Sequence, residues 1–482
     1  MTFEELRKKY SKFVYEKYEI NDEWDWLNIT YFFSIPWLTT FTPSIKIEKK
    51  NIKNEDLDND FVNYLVFHIG LVELISYWKC CCPENVEIKA WYIDEDQIKW
   101  FKKMYFYGLG EFFYTNGIEV DEESFMKIEC TTLQADKSAS SPIRDRNLST
   151  PAVLRESPSP IREEISPLLG GVSQSDKGVV NRQEFNGNLI CIWWGKDSNV
   201  TLELLKWMDN DTFILNPNDV TLECSKIWWY ENPRIMKRLL DPQIVELNQK
   251  WFLNGHTPFN ALLAFLTYLV AYLGNKKYIV LSNESSANES NVRGLKVNHQ
   301  YSKSFEFEND FNEYTKKYFW IWIKYFSFLR PILEIQIAQL FSKFEQYHKV
   351  FKSCNVWSKS KPRKWCCNCP KCLFVFTILS PFLYKEKLVN IFGEDLFENK
   401  ELLQTFIDLT WNSDNKPFEC VGTYDEVNYA IALTIKKLDW NLPYLLQYYV
   451  DHFEVKNYDL LNYFNEENNL NPEFLEILRK NL

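Results

Sequence analysis

Apolar residues run in an unbroken block from Leu189 to Trp193, then recur at Val200, Leu204 and Met208 with Leu205 alongside. The block suits a strand buried on both faces, and the later spacing suits one face of a helix. Between them lies the small polar turn Gly195-Lys196-Asp197-Ser198. The alternation continues downstream. Thr212 to Leu215 reads as a second strand, stopped by Asn216-Pro217. A helix with Thr257 as N-cap and Pro258 in its first turn runs to about Leu273, and Gly274-Asn275 breaks it. Tyr278 to Leu281 is a third strand, followed at once by a polar loop from Ser282 to Asn291. This order predicts an α/β fold: a doubly wound, mostly parallel sheet over residues 187–345 with helices on both faces. Ligands of such sheets bind at the C-terminal ends of strands, where the Gly195 turn and the polar loop both fall.

The flanks read differently. Residues 1–130 are rich in aromatics and predict an N-terminal α+β domain, with helical patterns over Phe61 to Lys79 and Asp96 to Tyr105. Residues 346–482 predict a helical region that carries a cysteine cluster. Between Phe125 and Phe185 there is no Phe, Trp or Tyr, where the chain's 17% aromatic content would supply about ten. Ser-Pro or Thr-Pro pairs recur there at Ser141, Thr150, Ser157, Ser159 and Ser166. Residues 131–186 are therefore expected to be a disordered linker or insertion.

A length of 482 residues suits two or three domains. The net charge of -11, spread along the chain, argues against a nucleic-acid partner, which calls for a basic face. The first nine residues are charged and unlike a secretion signal, and the longest apolar run, Ala261 to Leu273, is too short to span a membrane. A cytoplasmic protein with no membrane partner is expected. Its twelve cysteines are then reduced thiols, some of them on metal.

Four stretches carry candidate chemistry. A strand–turn–helix at Gly195 aims backbone N–H groups and a helix dipole at one point, which favours an anion, and Lys196 adds a charge. Asn283-Glu284-Ser285-Ser286 and Asn298-His299-Gln-Tyr301-Ser-Lys303-Ser304 gather an imidazole, a phenol, an ammonium and hydroxyls, with little that could build a core. His299 and Lys303 are best suited there to acid–base or anion work. Cys354 with Cys366, Cys369 and Cys372 suits a tetrahedral zinc ion, which leaves Cys367 as the odd one out; plain buried thiols or an iron–sulfur cluster are the alternatives. Glu419-Cys420, near the Gly422 turn, fits either an acid–base pair or a buried strand end. Cys80 to Cys82, being consecutive, read as buried thiols, and His68, His348 and His452 as structural residues.

The turn lacks the Walker spacing G-x-x-x-x-G-K-[ST]. It resembles the PP-loop of ATP pyrophosphatases, the adenine nucleotide α-hydrolase-like fold, except that Trp193 and Trp194 stand where that pattern prefers small residues. Longer stretches make the resemblance more specific. Ile69-Gly-Leu-Val-Glu73, Ser76-Tyr-Trp-Lys79, Gly108-Leu-Gly-Glu111, Asn254-Gly-His-Thr-Pro-Phe259, Ser282 to Ala287, Val297 to Ser304, Trp365-Cys with Cys369-Pro-Lys-Cys372, and Lys416 to Gly422 together resemble the MurL-type UDP-N-acetylmuramoyl-L-alanyl-L-glutamate epimerases. The likeness covers the chain except residues 131–186 and roughly the last thirty.

The resemblance implies ATP-dependent inversion of the terminal L-glutamate of a peptidoglycan precursor, with ATP and magnesium as cofactors and a nucleotide-sugar dipeptide as substrate. Gly195, Lys196, Asp197 and Ser198, with Asn283, Glu284 and Ser285, would then hold the nucleotide. Arg293 and Lys303 would hold substrate anions. His299, His256 and Cys420, with Glu419 and Tyr301 behind them, would be the acid–base candidates. A PP-loop enzyme that adenylates another carboxylate or a nucleobase, or a non-catalytic nucleotide binder, would share most of these features.

Overall fold

The structure, a computed structural model, describes residues 1–50, 52, 59–131, 185–193, 195–227, 230, 232–288, 301–354, 356, 364–410, 417, 419–439, 441–455 and 459–482. Residues 132–184, nearly all of the Ser-Pro-rich stretch, lie outside the described residues.

Eleven strands form one mixed sheet: β1 (Lys12–Asp22), β2 (Trp26–Ile35), β3 (Thr39–Phe41), β4 (Ser44–Glu48), β5 (Asn85–Ile88), β6 (Lys127–Cys130), β7 (Asn188–Cys191), β8 (Asn210–Leu215), β9 (Arg234–Leu239), β10 (Tyr278–Leu281) and β11 (Lys324–Ser327). Their order is β11-β10-β7-β8-β9-β4-β2-β1-β5-β6, with β3 on β2. Strands β7 to β11 pair in parallel, as the alternating pattern predicted. The chain builds outward from β7 through β8 to β9, then returns to place β10 on the other side of β7. The topological switch point thus lies between β7 and β10, and a crevice opens beyond their C-terminal ends. The antiparallel β4–β9 pairing carries the sheet on into residues 12–48 and beyond.

The two sides of the sheet bury separate cores, because successive strand residues point to opposite faces. Leu189, Phe213, Leu215, Ile279 and Leu281 pack beneath helices Asp60–Glu73, Phe259–Leu273 and Phe305–Tyr318. Ile190, Ile192, Ile214, Val280 and Phe326 face helices Lys196–Leu205, Glu334–Ser342, Pro370–Leu379 and Tyr424–Lys437. Helix Lys196–Leu205 buries Thr201, Leu202 and Glu203 as well as the expected Val200 and Leu205. Helices Glu334–Ser342 and Pro472–Asn481 pack on it, so it has no wide solvent face. The helix expected to be capped by Thr257 has Pro258 in the cap position instead, because the Thr257 carbonyl accepts from Phe259 N (2.7 Å) in a tight turn. Among the described residues one helical stretch, Asp60–Trp78, is long and apolar enough to cross a membrane, and 83% of its apolar window is buried in the fold.

Candidate active site

Strand β7 ends at Cys191, and the chain turns at Gly195 into helix Lys196–Leu205. Ser198 closes the turn: its hydroxyl accepts from Trp193 N (3.2 Å) and donates to Trp193 O (2.7 Å). The Trp193 ring leaves the turn and packs on Phe259 with centroids 5.7 Å apart, while Trp194 lies outside the described residues. Gly195 is extended (φ -88°) and provides no side-chain cap, so the first N–H groups of the helix keep the capacity to bind an anion.

Beside this helix end three carboxylates meet. One oxygen each from Asp197, Glu284 and Glu334 lies within 4.8 Å of the others. Lys196, 1% exposed, reaches Asp197 (2.5 Å) and Glu334. Burial opposes its charge, but these two carboxylates outweigh that and push its pKa up. Glu334 is pushed up to about 7, first by its own burial and then by the charge of Asp197. Glu284 moves up for the same two reasons. Lys303, the second cation here, donates to Cys420 Sγ (3.0 Å), and Lys371 donates to the Cys420 carbonyl. Burial and like-charge crowding thus keep Glu284 and Glu334 raised despite the lysines around them.

A buried frame holds these groups. Arg330, 0% exposed, donates to the carbonyls of Glu284 (2.8 Å) and Lys303 (2.6 Å) and pairs with Glu308 (3.2 Å). It thereby ties the polar loop after β10 to the Tyr301–Lys303 turn. Glu426 accepts from Ile335 N (3.3 Å) at the start of the helix that carries Glu334, and also caps its own helix through Thr423. Sequence reasoning passed over Glu334 and Arg330. Their signal is isolation, since they are the sole charges between Tyr325 and Ser342.

The crevice thus gathers Gly195, Lys196, Asp197, Ser198, Glu284, Lys303 and Cys420. Asn283 is tied to Ser327 (3.0 Å) and Ser285 to Tyr463 (3.1 Å) at its margin. Glu419 forms the turn before Cys420, its N–H donating to the Pro417 carbonyl (2.8 Å). Tyr301 is 6% exposed and packs on Tyr107 (5.5 Å); burial pushes its phenol up. His256 instead approaches Glu111, with Nδ1 to Oε2 at 3.6 Å. His299 and Arg293 lie outside the described residues. His68 and His348 are buried and Cys80, Cys81 and Cys82 are 0% exposed, as structural residues should be.

In a second cluster, the sulfurs of Cys354, Cys366, Cys369 and Cys372 also lie within 4.8 Å of one another. Three of their separations are 4.0, 3.6 and 3.4 Å. A tetrahedral zinc with Zn–S bonds of about 2.3 Å needs roughly 3.8 Å. Cys369 caps helix Pro370–Leu379, where its sulfur accepts from Cys372 N (3.4 Å). Cys367 points away, bonding the Phe392 carbonyl (3.2 Å), with its thiol pushed up to about 12 chiefly by burial.

Comparison with known proteins matches the MurL N-terminal domain at residues 4–153 and 167–328, and the MurL C-terminal domain at residues 350–460. A UDP-N-acetyl-alpha-D-muramoyl-L-alanyl-L-glutamate epimerase of Xanthomonas oryzae pv. oryzae is 30% identical over 380 residues, which is 77% of this chain and 74% of that protein. Proteins of the same name from a Micromonospora species and from Salinispora tropica are 34% and 32% identical, over 52% and 60% of this chain and 58% and 62% of their own. No solved structure matches. With both family domains matched in order and the first of these relatives aligned along most of its length, the chain belongs to the MurL family.

Proposed function

We propose that this chain catalyses ATP-dependent epimerisation of the terminal L-glutamate of UDP-MurNAc-L-Ala-L-Glu through an acyl-adenylate, releasing AMP and pyrophosphate. The observation that carries this reading is the meeting of an uncapped helix N-terminus, Lys196 and three clustered carboxylates at the switch point. The α-proton beside a free carboxylate is a very weak acid, because its removal puts a second negative charge next to the first. Esterification with AMP removes that first charge and acidifies Cα–H. The two diastereomers are close in energy, so ATP cleavage gives the reaction its direction.

The backbone from Gly195 and the Lys196 ammonium bind phosphate oxygens. Asp197, Glu284 and Glu334 would hold magnesium, which prefers oxygen ligands and would supply positive charge beside the phosphates. Cys420, His256 and His299 are the proton-transfer candidates, with Glu419 and Tyr301 behind them. Arg293 and Lys303 are candidates for substrate anions. The four-cysteine site suits a structural zinc that pins the Cys420 wall. A nucleotide-linked substrate fits a cytoplasmic setting.

The test is incubation of purified protein with UDP-MurNAc-L-Ala-L-Glu, ATP and magnesium, scoring D-glutamate after hydrolysis together with AMP and pyrophosphate. Lys196→Met and Glu334→Gln should each lower turnover by about 10²-fold or more. Epimerisation without ATP defeats the reading. Pyrophosphate release with other carboxylates alone moves the assignment to a different adenylating enzyme.

A further inference from the structure

Two candidate proton-transfer groups lie on segments packed against opposite faces of the sheet. On one side, Cys420 leads into Val421, part of the core beneath helices Pro370–Leu379 and Tyr424–Lys437, and Gly422 abuts Phe374 of the first of these. Lys371 of the same helix holds the Cys420 carbonyl, and Lys303 Nζ lies 3.0 Å from its sulfur. On the other side, His256 belongs to the loop before helix Phe259–Leu273, over the opposite face of the sheet. Asn116 donates to the Asn254 carbonyl (3.1 Å) and Lys79 donates to that of Gly255, fixing the loop against helix Gly110–Thr115, whose Glu111 approaches the imidazole.

Ring contacts connect the His256 segment to the Gly195 turn and the Glu111 segment to the Tyr301–Lys303 turn. Phe259, three residues after His256, touches Trp193 of the nucleotide turn. Tyr301, two residues before Lys303, packs on Tyr107, four residues before Glu111 and across the break at Leu109.

We propose that Cys420 and His256 are the two acid–base groups of the epimerisation, with Lys303 and Glu111 as their positioning residues. This rests on the adenylation reading above. A half-buried lysine ammonium at 3.0 Å is placed to favour the thiolate, and a carboxylate at 3.6 Å to favour the imidazolium. The Cys420 thiolate takes the α-proton of the L-glutamyl adenylate: an S–H bond forms, the Cα–H bond breaks, and its electron pair moves to the acyl oxygen as an enolate. The enolate then collapses onto the His256 proton, forming a new Cα–H bond on the opposite face. Thiol and neutral imidazole remain, and the starting state returns by proton exchange with water, which His256 meets through its 22% exposed side chain.

The experiment runs the full-length protein in D₂O with UDP-MurNAc-L-Ala-L-Glu, ATP and magnesium. It scores deuterium at Cα of both diastereomers, alongside ATP–pyrophosphate exchange as the measure of adenylation. Wild type should give D-glutamate with one deuterium. His256→Gln should keep adenylation and place deuterium in the L-substrate while inversion falls about 10²-fold or more. Cys420→Ala and the better-matched Cys420→Ser should adenylate but neither exchange nor invert. Glu111→Gln should slow inversion with adenylation unchanged, and Glu111→Asp should restore part of it. Inversion by His256→Gln at near the wild-type rate, α-exchange by both Cys420 variants, or parallel loss of adenylation in Glu111→Gln overturns the pair. No ATP–pyrophosphate exchange in wild type overturns the adenylation reading itself, and the pair with it.

Discussion

Replacing Arg330 by Met tests whether the buried frame, rather than the crevice residues alone, sets the site. Arg330 is 0% exposed and Glu308 1%, so the substitution strands a carboxylate in the core and removes the donors to two carbonyls. Breaking a buried pair costs about 3–5 kcal/mol. Glu308 keeps two other donors, Ser327 N (3.2 Å) and Asn469 Nδ2 (3.0 Å), which puts the expected loss at the lower end, about 3 kcal/mol. At roughly 2 °C per kcal/mol for a large cooperative unit, Tm should fall by about 6 °C. Epimerisation should fall further than stability alone requires, because Glu284 and Lys303 lose their common anchor. Glu308→Gln in the same chain removes the stranded charge, so the double variant should be more stable than the two single losses predict, by about 1–2 kcal/mol. Differential scanning calorimetry of the four proteins is the assay. A Tm for Arg330→Met within about 1 °C of wild type, or strictly additive losses, refutes the account.

Three further outcomes follow from other parts of the molecule. Burial lowers the His68 pKa to about 3 against the pull of its bond to the Tyr64 carbonyl, whereas the unfolded chain protonates near 6.5. Its contribution is therefore whole above about pH 6.5 and declines as pH falls toward 3, by about 2 kcal/mol at pH 5; His68→Gln should flatten the fall in urea midpoint between pH 7 and 5, and an unchanged slope counts against this. Untagged protein should carry about one zinc per chain by elemental analysis, and chelation or Cys372→Ser should lower Tm, whereas a metal ratio near zero removes the zinc. A Cβ at Gly70 would meet a Tyr15 ring carbon at 2.5 Å and Tyr31 at 2.8 Å, so Gly70→Ala should destabilise by about 1–3 kcal/mol despite its better helix propensity, and a gain in thermal stability would contradict that packing.

What could be read from the sequence, and what could not, follows from the range of each signal. The Tyr278–Leu281 strand and the turn at Gly195 are local patterns, and both stand where the sequence put them. Strand β9 was passed over because Arg234, Lys237 and Arg238 interrupt its apolar positions; Arg234 is bound to Asp211 and Arg238 to Glu73, which makes charge tolerable in a strand. The cysteine spacing was legible because three of the four clustered cysteines lie within seven residues. Asp197, Glu284 and Glu334 come from three separate crossings of the sheet, and no spacing rule joins them. Trp193 sharpens the point. As a motif letter it is a departure, since small residues let backbone approach a phosphate. In the fold its backbone is what the turn uses, held on both sides by Ser198, while the indole packs on Phe259 at the end of the wall that bears His256. The bulky residue therefore links the Gly195 turn to the segment proposed for proton return, and a small residue there would leave the turn closed but lose that link.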